Sequence, residues 1–457
     1  MAVPEGILSW LWVAANCVLL PALAGRALLS LLGLGAAPGA VVLWSYGYVV
    51  GQALAAVLVA MWLLAGQAVP GLVIPLLLLG VACCRRRGVV APSVAPARWS
   101  PWLRVAVAFA VVAFVVACLR TDAMPIYHGD EGEIWAGKAK VLYGHPMGPL
   151  AAALPLVANP DYPCLNPLLQ VGTFAVSGRV LHAENRLPLQ MFGVVALLLV
   201  AGGAAARARQ WVVIAAVLAC AATLPTGAAT TAYSDTMVAC TLLATVDALS
   251  RWRDDGDPAW WRVACISAGA LLASKNEGLL LAMLVFGCGA LTSWSWFRRQ
   301  RPLRLRELGW LSVPIAVVVA GHLFNAAHGL SHQLLAANDA GSGPLGRMLE
   351  HFGERAPVVL GAFGNMLLDP SPHRLLPVSC IAAGIVAAIA GRRRFLQSPA
   401  ALVVGCLVGG LGGYMAVFFT SPYDIVFHLT TGLDRIVEHM VPLAAYGCCL
   451  TIAPIER

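Results

Sequence analysis

Leu103-Arg104-Val105-Ala106-Val107-Ala108-Phe109-Ala110-Val111-Val112-Ala113-Phe114-Val115-Val116-Ala117-Cys118-Leu119 carries one charge, at its second position, and none after it. As a helix, such a run rises about 25 Å, close to the roughly 30 Å hydrocarbon thickness of a bilayer. Ala, Val and Phe surround it on every side, and a helix apolar all round belongs in lipid or deep in a bundle. Working outward, comparable runs fall at about 7–25, 40–65, 68–84, 188–206, 211–226, 234–250, 260–274, 278–294, 309–326, 375–390, 399–419 and 437–453. The chain therefore reads as an all-α polytopic membrane protein of about 13 transmembrane helices. A further run, 166–181, is broken by Gly172, Gly178 and Arg179 and is expected to lie along or dip into the interface.

Composition agrees. Of 457 residues 60% are hydrophobic and 11% charged, with a mean hydropathy of +0.79, whereas a soluble domain carries about 25% charged residues. That excludes a soluble enzyme, a disordered chain and a secreted disulfide scaffold. The 13 cysteines are odd in number. Cys83, Cys84, Cys240, Cys288, Cys448 and Cys449 sit inside apolar runs, as small packing residues do. The net charge of +8 is assigned to cytoplasmic loops rather than to nucleic acid. The first run, from Ile7, has no basic stretch before it and reads as a retained span, not a cleaved signal peptide.

Arg85–Arg87, Arg98, Arg104, Arg207, Arg209, Arg251, Arg253, Arg262, Arg298, Arg299, Arg301, Arg304, Arg306 and Arg392–Arg394 fall on one side of this topology. Arg26 and Arg457 join them, and the positive-inside rule makes that side cytoplasmic. Two long loops, about 120–187 and 327–374, then face outward. All ten His, all three Lys and most of the acids lie there or at the outer ends of spans. A scaffold has no need for polar groups on one face, so the chemistry is expected there.

The first loop contains Tyr127-His128-Gly129-Asp130-Glu131-Gly132-Glu133-Ile134-Trp135-Ala136-Gly137-Lys138-Ala139-Lys140. Three carboxylates in four residues suggest catalysis. The structural alternative makes Asp130 a helix N-cap, Glu133 its capping-box partner and Trp135 an interface anchor. Gly132–Lys138 imitates the start of a phosphate loop, but Ala139 stands where Ser or Thr must meet magnesium and no strand precedes it. Next come Asn159-Pro160-Asp161-Tyr162-Pro163-Cys164-Leu165-Asn166-Pro167, an extended rigid turn, and Tyr233-Ser234-Asp235 at the head of a span. Ser274-Lys275-Asn276-Glu277-Gly278 forms a charged hairpin, in which Lys275 and Glu277 serve a site or pair with each other. Last is the loop Tyr423-Asp424-Ile425-Val426-Phe427-His428-Leu429-Thr430-Thr431-Gly432-Leu433-Asp434-Arg435.

Taken in order, these pieces resemble the GT-C superfamily of membrane glycosyltransferases. The likeness is nearest to the bacterial protein-mannosyltransferase and aminoarabinose-transferase branch, glycosyltransferase family 39 and its neighbours. The resemblance covers about 100–440 and leaves residues 1–99 as N-terminal transmembrane helices beside a 100–457 catalytic core. It implies an inverting transfer from a polyprenyl-phosphate sugar to an acceptor hydroxyl at the outer face of a bacterial plasma membrane. The acceptor, a glycan, lipid or protein, is left open. Asp130 matches the loop aspartate that serves as general base, with Glu131 beside it, and Asp235 matches a second acid at a span start. Lys275 and Arg435, with Lys138 behind them, are the expected phosphate cations. Trp135, Tyr162, Glu277, His428 and Asp434 are the expected substrate contacts. Some relatives place a Lys just before the Pro-rich turn, where this chain has Asp161. No cofactor is implied with certainty; a divalent cation near His128, or near His328 and His332, is an option without a defined ligand set.

In the second loop Leu345, Met348, Leu349 and Phe352 share one helical face, with Arg347, Glu350, Glu354 and Arg355 opposite. This helix is expected on the outer leaflet, packed on the bundle or as a lid. A transporter or flippase of a lipid-linked sugar, or a surface-polysaccharide polymerase or ligase, is the alternative function. A transporter tends to carry internal repeats and midplane charges, which are not evident.

Overall fold

The computed structural model describes residues 6–34, 39–84, 99–124, 129–144, 153–224, 227–299, 305–330, 344–369 and 371–452. Among them there are helices and no β-strand. In chain order the helices are α1 Ile7–Leu31, α2 Ala40–Leu64, α3 Val73–Cys83, α4 Pro101–Asp122, α5 Gly137–Gly144, α6 Leu165–Ser177, α7 Leu187–Ala204 and α8 Gln210–Thr223. There follow α9 Asp235–Asp255, α10 Pro258–Ser274, α11 Glu277–Arg299, α12 Ser312–Ala327, α13 Pro344–Leu368, α14 Pro372–Leu396, α15 Pro399–Thr420 and α16 Ile425–Ile452.

Local chemistry sets the boundaries. Ser100 caps α4 by accepting the Leu103 N–H at 3.2 Å, with Pro101 at the first helical position. Asp257 caps α10 through the Ala259 N–H at 2.9 Å, and α9 stops at Gly256 in the left-handed region (φ 69°).

Seven helices among the described residues are long and apolar enough to cross a membrane, and α3, α8 and Glu277–Thr292 are shorter apolar helices. The runs expected at about 234–250, 260–274 and 437–453 fall on α9, α10 and α16, the last described to Ile452. But α9 carries Asp235, Asp247, Arg251 and Arg253, and α10 is only 17 residues long. Large apolar side chains cover the outside: Val105, Phe109 and Val112 on α4, Ile315 and Leu323 on α12, Ile385 and Ile389 on α14. An apolar exterior of this extent fits a multi-pass membrane protein.

At the centre stands α9, buried without a break from Asp235 to Arg253 against α7, α10 and α16. Its small residues allow close approach, and Thr241, Thr245 and Ser250 satisfy their hydroxyls on carbonyls one turn back. The N-terminal helices join this core rather than standing apart. A Cβ on Gly25 of α1 would lie 1.9 Å from the Gly47 carbonyl of α2, so the two helices cross with only glycine between them. From α2, Tyr46 donates to Asp247 of α9 at 2.8 Å.

One expectation is corrected. The segment expected along the interface is α6, and it is packed inside the bundle. Its polar residues find internal partners: Asn166 donates to the Ala232 carbonyl, Gln170 to Asn166, and Asn185 to Gln170, each at 2.7 Å. The helix of the second loop is α13, Pro344–Leu368. Leu345 and Leu349 point outward, while Arg347 is buried and donates to the Thr420 carbonyl at 3.2 Å. Arg355 caps the same end of α15 through the Phe419 and Ser421 carbonyls. The open carbonyls of a helix end need donors, whereas Leu loses nothing by facing lipid.

Candidate active site

Asp235 opens α9 and is the hub of an ionic cluster at that end of the bundle. Its carboxylate is 2% exposed. It accepts from Lys275 Nζ at 3.0 Å, from Arg435 Nη2 at 3.0 Å and from His439 Nε2 at 2.7 Å. Lys275 stands in extended backbone between α10 and α11, and its ammonium reaches back to Asp235 of α9. Its Nζ also lies 3.1 Å from Glu277 Oε1. Burial works against this ammonium, but the Asp235 and Glu277 carboxylates outweigh it and hold its pKa above the ordinary lysine value.

Arg435 spreads its fork across two carboxylates, with Nη2 on Asp235 and Nη1 on Asp130. Its guanidinium stacks 4.5 Å above the Tyr233 ring. The Asp130 side chain is 38% exposed against 1% for Asp235, so of the two only Asp130 is open to a second reactant. His439 donates from Nε2 to Asp235, which leaves Nδ1 to accept from the Tyr414 hydroxyl at 2.8 Å. The Tyr162 hydroxyl belongs to the same field. Burial, then the charges of Glu277, Asp130 and Asp161, push its pKa well above the ordinary value, so it stays neutral.

The capping box does not form. Asp130 has helical backbone and caps nothing with its side chain, because the carboxylate is taken by Arg435. Glu131 is nearly buried and held on both oxygens by Arg186, at 2.7 and 2.9 Å, while the Ala232 N–H adds a third bond at 2.7 Å. Arg186 also donates to the Thr121 and Met124 carbonyls. This pair ties the first loop to α4 and to the segment before α9.

Lys138 sits apart from the cluster. Its buried Nζ donates to the Pro160 and Tyr162 carbonyls at 2.7 and 2.5 Å, clamping the Pro-rich turn. Trp135 is fully buried, not an interface anchor, and packs 5.5 Å from Tyr162. His428 bonds Ser421 at 2.7 Å between Phe418 and Tyr423. Asp434 pairs with Arg374 at 2.5 Å and braces α14 against α16. The structure thus brings together Asp130, Asp235, Lys275, Glu277, Arg435 and Tyr162. It leaves Glu131, Lys138, Trp135 and Asp434 in supporting contacts.

Sequence reasoning missed Arg186, His439 and Tyr414. His439 had a signal: it lies one turn beyond Arg435 on a helix, inside an apolar run. His128, His332 and Tyr127 lie outside the described residues, as do Arg85–Arg87, Arg98, Arg301, Arg304 and Arg457. Among the described residues no three His, Cys, Asp or Glu side chains converge as metal ligands. All 13 cysteines are unpaired.

No family model and no solved structure matches the chain. It is 25% identical over 203 residues, 40% of this chain, to the photosystem I P700 chlorophyll a apoprotein A2 of Porphyra purpurea. The match covers 25% of that relative, so the chain spans about a quarter of its length. A likeness of that extent does not assign this chain to a family.

Proposed function

We propose that the protein is a membrane glycosyltransferase of the GT-C kind, moving a sugar from a polyprenyl-phosphate donor to an acceptor hydroxyl with inversion. One observation carries the reading: Asp130, Asp235, Lys275 and Arg435, from four distant segments, meet at one end of an apolar helical bundle. The reaction needs an exposed carboxylate to take the hydroxyl proton and fixed cations for the departing phosphate. Asp130 supplies the first, and Arg435 with Lys275 the second.

The shared fork of Arg435 adds an order to these events. A donor phosphate seated on Arg435 displaces Asp130, so the base is freed only when the leaving group is in place. Asp235, itself held by His439, keeps the two cations in position throughout. Thirteen spans, a cytoplasmic Arg-rich side and a bacterial plasma membrane with the cluster on its outer face belong to this proposal, with membrane lipid as surroundings. So does a polar acceptor, whether glycan, lipid or protein.

The test is purified protein incubated with a panel of polyprenyl-phosphate sugars, with released polyprenyl phosphate followed by mass spectrometry. Release that needs an acceptor supports the proposal. No release from any donor, together with movement of a lipid-linked sugar across proteoliposomes, would favour a transporter or flippase. Products that lengthen with time would favour a polysaccharide polymerase.

A further inference from the structure

Asp161 is a charged residue placed where nothing in the protein completes its bonding. It is 3% exposed. Oδ2 accepts from Asn276 Nδ2 at 3.1 Å, but Oδ1 is buried and has no hydrogen-bond partner among the described residues. The residue after Asn276 repeats the pattern: Glu277 Oε1 meets Lys275, while Oε2 is buried and unpartnered. An ionised carboxylate only accepts hydrogen bonds, and a buried acceptor left empty is destabilising. The backbone beneath Asp161 is held firmly. Lys138 binds the carbonyls on either side of it, at Pro160 and Tyr162, and Asn325 donates to its own carbonyl at 3.0 Å. Pro160 before it and Pro163 two residues on stiffen the turn that carries the carboxylate. Three anchored carbonyls for one unfilled acceptor describe a group preorganised for a ligand.

The ligand's chemistry follows from the neighbours. Asn276, which holds Asp161 Oδ2, stands between Lys275 and Glu277, so the empty oxygens border the proposed reaction centre. Lys275 and Arg435 already serve an anion there. What is missing is a group rich in donors.

We infer that Asp161, with Glu277 beside it, reads the transferred sugar by accepting hydrogen bonds from its ring hydroxyls. The inference rests on the glycosyltransferase reading and deepens it. Phosphate recognition falls to Lys275 and Arg435, and discrimination between sugars falls to the Pro-rich turn.

The test uses short-chain polyprenyl phosphate, bare or carrying a hexose or pentose, and single-deoxy versions of each sugar, with binding to the full-length protein as readout. Asp161→Asn is expected to leave affinity for the bare phosphate within about twofold. It should lower affinity for the matching glycosylated lipid by roughly tenfold or more, the scale of a hydrogen bond to a charged acceptor. One deoxy sugar should show the same loss with the unaltered protein and no further loss with Asp161→Asn, because both changes remove one bond. If Asp161→Asn does not fold, Asp161→Glu replaces it and must change which deoxy position is sensitive. Equal weakening of bare and glycosylated lipid would overturn the inference, as would additive losses. Binding that requires Mg²⁺ and disappears in EDTA would overturn it too, by making these oxygens metal ligands. If the bare phosphate does not bind at all, the glycosyltransferase reading itself fails, and this subsite with it.

Discussion

Arg435 serves two carboxylates of unequal exposure, and in the proposed reaction that inequality decides which one acts. Asp235, closed in by Lys275, Arg435 and His439, has no free face for a substrate proton. Asp130 has one side-chain partner among the described residues and an open side. In the proposed reaction Asp130→Asn should keep donor binding and thermal stability and lower turnover by about 10²-fold or more, the scale of a lost general base. Glu131→Gln should instead melt earlier, since it weakens a buried pair with Arg186; a catalytically dead but thermally unchanged Glu131→Gln would show that the wrong carboxylate had been chosen. Lys275 touches both Asp235 and Glu277, so its two roles need separating. Lys275→Met is expected to cost about 10²-fold in turnover through loss of phosphate stabilisation. Recovery of activity in a charge-swapped Lys275–Glu277 double mutant would contradict that role, because a reversed pair cannot hold an anion in the same place.

Among the elements, α9 bears a second ionic cluster about 18 Å along its axis from Asp235. There Asp247 accepts from Arg207 at 2.8 Å, Arg251 at 2.7 Å, Tyr46 at 2.8 Å and Tyr446 at 2.9 Å. Arg207 reaches on to Asp254 at 2.8 Å. These bonds join α2, α9, α16 and the turn after α7, and Gly203 gives Asp247 its room: a Cβ there would stand 3.1 Å from Oδ1. Asp247→Asn leaves two buried guanidinium groups short of a charge, a change that costs about 3–5 kcal/mol when a buried pair is broken. Its expected outcome is a lower melting temperature, with an unchanged preference among donor lipids in whatever protein folds. Unchanged melting would mean that the network is not structural. The helices themselves were largely legible, since apolar runs and caps such as Ser100–Pro101 are local signals. The orientation of α13 was not. Its Arg347 falls on the polar face opposite the Leu stripe, yet it is the residue that packs, and the open end of α15 explains why.

For the molecule as a whole, the proposed mechanism fixes the sidedness that labelling should report. Single cysteines replacing Glu133 and Asp424, near the cluster, should be labelled by an impermeant reagent from outside the cell, and one replacing Arg392 should not. Cys164, half-buried in the loop expected outside, must first be changed to Ser, while the exposed Cys83 and Cys84, beside Arg85 on the expected cytoplasmic side, should stay unlabelled. Reversed labelling would end the proposed mechanism, because donor and base would face the cytoplasm. The sequence by itself determined the helical, membrane-adapted class. In lipid each segment must satisfy its own backbone hydrogen bonds, so a long uncharged run announces its structure without reference to the rest of the chain. It also marked most of the polar residues that matter, because a charge in such a chain is costly unless used. Which of them meet was decided only by tertiary structure. Arg435 finds Asp130 across 305 residues and Glu131 finds Arg186 across 55. Those meetings depend on which helices lie side by side, and that depends on small-residue surfaces such as Gly25 against Gly47, whose partners no local pattern reveals.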